Sequence, residues 1–229
     1  MTMEGFCFRK LDVDGALLEA ADRAGAITRG SFLAGALGVS AAAVVGADEA
    51  VAQGGKSAKV DQGILNYALT LEYLQAAFYT EAERIKAIKG DVCKAARKLG
   101  SVERAHVKAF KDVLGRNAVG RPSFDFQGVT EKPRPFLKTA VAFEDLAVAA
   151  YGGQAANLKA DSALAAAVSI YSVEARHAAW MRYLFGLNPA AKAFDQPKTA
   201  PQITQIVRST NFIAAPPKTK RKRAPSFTG

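Results

Sequence analysis

The sequence predicts an all-α protein, a four-helix bundle made of two helical hairpins joined by a long crossover. Three observations predict it. Alanine is abundant and runs of β-branched residues are few, which favours helix. Apolar residues recur at helical steps over four long segments. The central region also repeats itself at a nearly constant offset: Ala68–Tyr79 aligns with Ala140–Tyr151, and Ser101–Gly115 aligns with Ser172–Gly186.

The chain has 229 residues, 49% of them hydrophobic, enough for one substantial core. Three regions are expected: an export-signal-like leader over 1–52, the bundle over 53–190, and a Pro-rich extension with a basic disordered tail over 191–229. In the leader, Phe32 to Ala47 is apolar and built of small residues, and Ala50-Val51-Ala52 fits a small-x-small cleavage site. The run is short for a membrane span. Thr28–Leu33, T-R-G-S-F-L, resembles a twin-arginine export signal, with Gly30 where the second arginine belongs. The expected location is periplasmic or extracellular, by either the twin-arginine or the general secretory route. Cleavage after Ala52 would change the formal net charge from +10 to +13, because 27 of 31 Lys and Arg but only 14 of 21 Asp and Glu remain. Cys7 would leave with the leader, and Cys93 alone cannot form an intrachain disulfide.

The first helix is expected from Asp61 to about Lys89. Ile64, Tyr67, Ala68, Leu71, Leu74, Phe78 and Ile85 recur at steps of three, four and seven. Gly90 should end it, with a joint of one or two residues. The second helix then runs from about Asp91 to Leu114, antiparallel to the first. The Gly- and Pro-rich stretch after Gly115 reads as a connection long enough to climb the bundle. A third helix fits Pro135–Leu158 and a fourth Asp161–Phe185, with Asp161 or Ser162 as N-cap. Ile203–Ile213 fits a short further helix. Trp180 and Phe110 are expected in the core.

The chain has only two histidines, His106 and His177. Each follows a glutamate, Glu103 or Glu174, by three positions, so each pair shares a helix face. With ten Glu in the chain, a histidine has such a partner by chance roughly 4% of the time, and both do about 0.2% of the time. Glu72 and Glu144 sit in the preceding helix of each hairpin. With a turn near Gly90, Glu72 is about 18 residues before it and Glu103 about 13 after, a mismatch of roughly 7 Å that long side chains can absorb. Four carboxylates and two imidazoles would then face the bundle axis, the donor set of a carboxylate-bridged di-iron or di-manganese centre. Four buried carboxylates repel one another, and two divalent cations neutralise them. Hard oxygen donors with one imidazole per ion suit Fe or Mn, with iron favoured. Two solvated Glu–His pairs, or an inherited site without metal, are the alternatives.

The pattern E…E-x-x-H…E…E-x-x-H resembles the ferritin-like superfamily. Ile64–Ala82, I-L-N-Y-A-L-T-L-E-Y-L-Q-A-A-F-Y-T-E-A, is similar to the opening helix of exported, desiccation-related ferritin-like proteins. The resemblance implies that Glu103 and Glu174 bridge two metals. It makes Glu72 and Glu144 terminal carboxylates, and His106 and His177 terminal imidazoles. Gln75 stands where that family often has a second acid. Tyr79 and Tyr151, seven positions after Glu72 and Glu144, either pack the core or hydrogen-bond a ligand carboxylate. Arg104 and Arg176 either support the ligands or face solvent.

Three functions follow as expectations. The first is redox chemistry on Fe(II) with O2 or peroxide, in stress protection. The second is a structural or desiccation-related envelope protein whose metals only hold the helices. The third is binding of nucleic acid or an anionic surface through Lys218, Lys220, Arg221, Lys222 and Arg223. The sequence leaves the oligomeric state open, a homo-oligomer included.

Overall fold

A computed structural model describes residues 48–214, with side chains from residue 58 onward. The apolar leader run, the twin-arginine-like stretch, Cys7 and the basic tail lie outside the described residues. Four long helices form the bundle: α1 (Asp48–Ile85), α2 (Gly90–Leu114), α3 (Pro133–Ala155) and α4 (Asp161–Phe185). A short helix, α5 (Ala200–Ser209), follows, and no strand occurs among the described residues. None of the described helices is long and apolar enough to cross a membrane.

α1 begins at Asp48, so its backbone runs through Ala50–Ala52. It is buried all round from Leu71 to Tyr79. Helices α1 and α2 pack as one hairpin, α3 and α4 as the other, and the hairpins meet through α1 against α3 and α2 against α4.

The joint of the first hairpin differs from the expected one. α1 stops at Ile85, and Lys86–Lys89 form the turn. Lys86 takes a left-handed φ of 59°, and Ile88 folds inward to 2% exposure in the core. Gly90, with φ of 62°, opens α2 instead of ending α1. α3 likewise starts at Pro133 and ends at Ala155, short of Leu158.

The N-cap of α4 is Ala160, which offers no side-chain cap, so neither Asp161 nor Ser162 fills that role. Asp61 of α1 supplies the missing acceptors. Its carboxylate accepts the Lys159 N–H at 2.8 Å and the Ala160 N–H at 2.9 Å. This ties α1 at Asp61 to the α3–α4 joint, at the end of the bundle away from the α1–α2 turn.

The crossover climbs α1 from that end to the other. Asn66 donates to the Asn117 carbonyl and accepts from the Val119 N–H. Further along, Thr130 donates to Glu81 at 2.7 Å. In the crossover Phe124 stacks on Phe126, Phe126 packs edge-to-face on Phe212, and Phe78 stacks on Phe136 with centroids 5.0 Å apart. The segment after α5 pins the crossover by pairing Ile213 with Phe124. Phe110 is buried as expected, but Trp180 is 40% exposed on the outer face of α4. The inward positions of that turn are held by His177, Ala178 and Met181.

Candidate metal centre

Helix register brings the acidic residues level. The stretch from Glu72 to the end of α1 at Ile85 is as long as the stretch from the start of α2 at Gly90 to Glu103. The expected mismatch disappears because the real turn is earlier and longer. In the second hairpin the stretch from Glu144 to Ala155 is slightly shorter than that from Asp161 to Glu174. The difference is roughly half a turn, about 3 Å of helix rise, within the reach of a glutamate side chain.

All six side chains meet between the hairpins. Nδ1 of His106 approaches Glu72 Oε2 at 3.2 Å, Glu103 Oε2 at 3.3 Å and Glu174 Oε1 at 3.2 Å. Nδ1 of His177 approaches Glu103 Oε1 at 2.9 Å, Glu144 Oε2 at 3.5 Å and Glu174 Oε2 at 3.8 Å. The four glutamates are 0% exposed. Their donor atoms form two groups of four, Glu72–Glu103–His106–Glu174 and Glu103–Glu144–Glu174–His177, each within 4.8 Å. Glu103 and Glu174 belong to both.

The donors are poorly satisfied by one another. Glu103 Oε1, both oxygens of Glu174 and Nδ1 of His177 are buried without a hydrogen-bond partner. His177 Nδ1 and Glu103 Oε1 are close, but their orientation does not make a hydrogen bond. Orphaned buried polar atoms are costly unless something else satisfies them. Two cations held by the two groups would do so, with hard oxygens and one imidazole each, and this buried cluster could hold metal ions.

Charge perturbs the groups of this cluster. Burial pushes the Glu103 carboxyl up to about 7, with the Glu72 and Glu144 carboxylates adding to the shift against the two histidines. Burial and the Glu103 charge hold Glu174 well above its usual range. At Glu72 burial acts upward, but the His106 charge and hydrogen bonds from His106 and Tyr151 outweigh it and hold the carboxyl low. Burial lowers His177, yet Glu103 and Glu144 carry it up to about 10. His106 is raised further by Glu72, Glu103 and Glu174, against its own burial.

The tyrosines serve the opposite hairpins. Tyr79 donates to Glu144 Oε1, and Tyr151 donates to Glu72 Oε1 at 2.5 Å. Burial, with the neighbouring carboxylate charge, holds both phenols well above their usual range, so they remain donors. Gln75 also donates to Glu144 Oε2 at 3.2 Å. Neither this contact nor the crossed tyrosine pairing is encoded in the helical spacing. Arg104 reaches Thr80 and Glu83 at the surface, away from the glutamates, and Arg176 is exposed.

No curated protein matches the chain. A family model described as a ferritin-like domain matches residues 60–187. Since that match takes in both hairpins and the crossover between them, more than half of the chain, this protein belongs to the ferritin-like domain family.

Proposed function

We propose that this is a carboxylate-bridged di-metal protein, iron favoured over manganese, that oxidises Fe(II) or consumes O2 or peroxide in stress protection. The observation that carries this reading is the double membership of Glu103 and Glu174. Each is fully buried and contributes to both four-residue groups, which suits a carboxylate shared by two ions. Glu72 with His106, and Glu144 with His177, would complete one ion's shell each. Bound iron supplies the one-electron steps between the Fe(II) and Fe(III) states. The chain's part is to hold the donors in fixed positions on rigid helices. Tyr79 and Tyr151 fix the terminal carboxylates through hydrogen bonds that bridge the hairpins.

The test is elemental analysis of protein produced with iron and with manganese, followed by oxygen uptake on adding Fe(II) or peroxide. Two ions per chain and turnover are expected, with both lost in Glu103→Ala and Glu174→Ala. Bound metal without turnover would instead favour a stress-related structural protein, and full metal retention in both variants would overturn the site.

A further inference from the structure

The hairpins are duplicated, but the packing on the two sides of the six donors is not. Beside Tyr79 the core is filled by Phe78 stacked on Phe136. At the offset that aligns Glu72 with Glu144, their counterparts beside Tyr151 are Ala150 and Ile64. Two aromatic rings are thus replaced by smaller side chains. A chamber of about 40 Å³ opens there, lined by all four helices.

Helix register fixes its place. Ala68 lies four residues before Glu72, Phe110 four after His106 and Ile170 four before Glu174, and all three line the chamber. The ring of Tyr151 closes the same end while its hydroxyl holds Glu72. The chamber therefore sits about one helical turn, roughly 5 Å, from the donor layer on the Asp61 side. Towards solvent, Leu65, Val113 and Ala163 line both the chamber and a wider cleft of about 290 Å³ beside Asp61. A small molecule entering that cleft has only neutral, mostly apolar surface between it and the donors.

Size and polarity select the occupant. A single water needs about 10–15 Å³ on this scale, so the chamber suits a molecule of two or three heavy atoms. Its polar wall residues have little to offer. The Tyr151 hydroxyl is committed to Glu72, the Tyr67 hydroxyl is sealed from the chamber by packing, and the Gln154 side chain accepts from Asn157. Hydrogen peroxide would leave its hydrogen bonds to water and find almost none in return. Dioxygen is uncharged and weakly hydrated, so it loses little on entering.

We propose that this chamber is a binding site for dioxygen, held one turn from the donors, and that it admits dioxygen in preference to peroxide. Its use as a supply to the centre rests on the di-metal reading above. The binding itself needs no metal.

The first experiment uses the metal-free full chain under raised dioxygen pressure, followed by NMR. Paramagnetic relaxation should concentrate on the methyl groups of Ile64, Ala150, Ala167 and Ile170, and xenon should compete for the site. Ala167→Leu, and Ala150→Phe, which restores the Phe78 counterpart, should each weaken both gases at least tenfold. The thermal transition checks that each variant folds. In iron-loaded protein the same variants should slow Fe(II) oxidation by dioxygen at least threefold and leave oxidation by peroxide unchanged. The proposal is overturned if the methyl groups of the chamber relax no more than those elsewhere in the core, if a folded filled variant binds both gases as wild type does, or if the variants slow both oxidants alike. Gas binding in a chain that takes up no metal would overturn the di-metal reading and its supply role, and leave the chamber as a dioxygen site. Two bound ions without gas binding would overturn the chamber alone.

Discussion

Tyr151 donates its hydroxyl proton to Glu72 across the boundary between the hairpins, and Tyr79 returns the arrangement to Glu144. Each half of the duplicated fold therefore positions an acid belonging to the other half. Tyr79→Phe and Tyr151→Phe should each weaken metal binding about 10- to 100-fold, the usual effect of losing a group that orients a ligand. Competition titrations against a chelator measure this. Unchanged affinity in both variants would show that the crossed bonds do not orient the acids.

The shared and unshared glutamates predict different stoichiometries. Glu72→Ala removes a donor from the His106 group alone, and Glu144→Ala removes one from the His177 group alone. Each variant should retain about one ion per chain. Glu103→Ala should retain none at the same free-metal concentration. Metal counting on gel-filtered protein gives the answer, and equal losses in all three variants would reject separate shells.

Protons and metal compete for the same atoms. Glu103 is raised to about 7 and His177 to about 10, so the metal-free pocket holds protons at neutral pH that a cation must displace. Metal affinity should rise between about pH 6 and pH 8, with proton release seen in weakly buffered calorimetry. The metal-free fold should show the opposite trend. For Glu103 the folded state binds more protons than the unfolded state from 4.5 up to about 7, so stability falls as pH rises through that window. The histidine contribution is complete below 6.5 and is lost as pH climbs, through about 10 for His177. Glu72, held low, is already ionised there and adds no slope. Thermal melts of chelated and metal-loaded protein at the two pH values should therefore shift in opposite directions.

Asp61 binds the α3–α4 joint through two backbone N–H groups. Asp61→Ala leaves both donors without a partner and should cost about 1–3 kcal/mol. Urea denaturation measures it. A change below about 0.5 kcal/mol would mean that water replaces the carboxylate without loss.

Gly153 faces the segment that returns over α3. A Cβ there would lie 1.8 Å from the Lys198 carbonyl oxygen, a backbone atom that cannot rotate aside. The same segment is held by the Lys198 N–H donating to the Ala149 carbonyl at 2.9 Å. Gly153→Ala should displace residues near Lys198 and speed proteolysis there, while leaving metal content near wild type. Mass spectrometry of limited digests tests this.

Much of the fold is legible in the sequence because helical periodicity, the repeat and the paired E-x-x-H spacing each report a local property. The span of α4 and the end of α2 match the expected positions for this reason. Other features depend on docking between distant segments, which no local period records. Tyr79 lies on the face of its own helix that carries Glu72, yet its partner is Glu144. The cap of the α4 start comes from Asp61, far away in the chain. The turn at Lys86 carries no glycine to announce its left-handed backbone. Trp180 shows the limit of composition, since a large apolar ring gives no sign of which helix face will be covered.

The pairing of Ile213 with Phe124 gives the last described segment a task in assembly. During synthesis both hairpins are made before the segment that pairs with the link between them. Final locking of that link must wait for residue 214, so a truncated chain ending near Phe185 would hold the link by its contacts to α1 alone, without those of Phe212, Ile213 and Ala214.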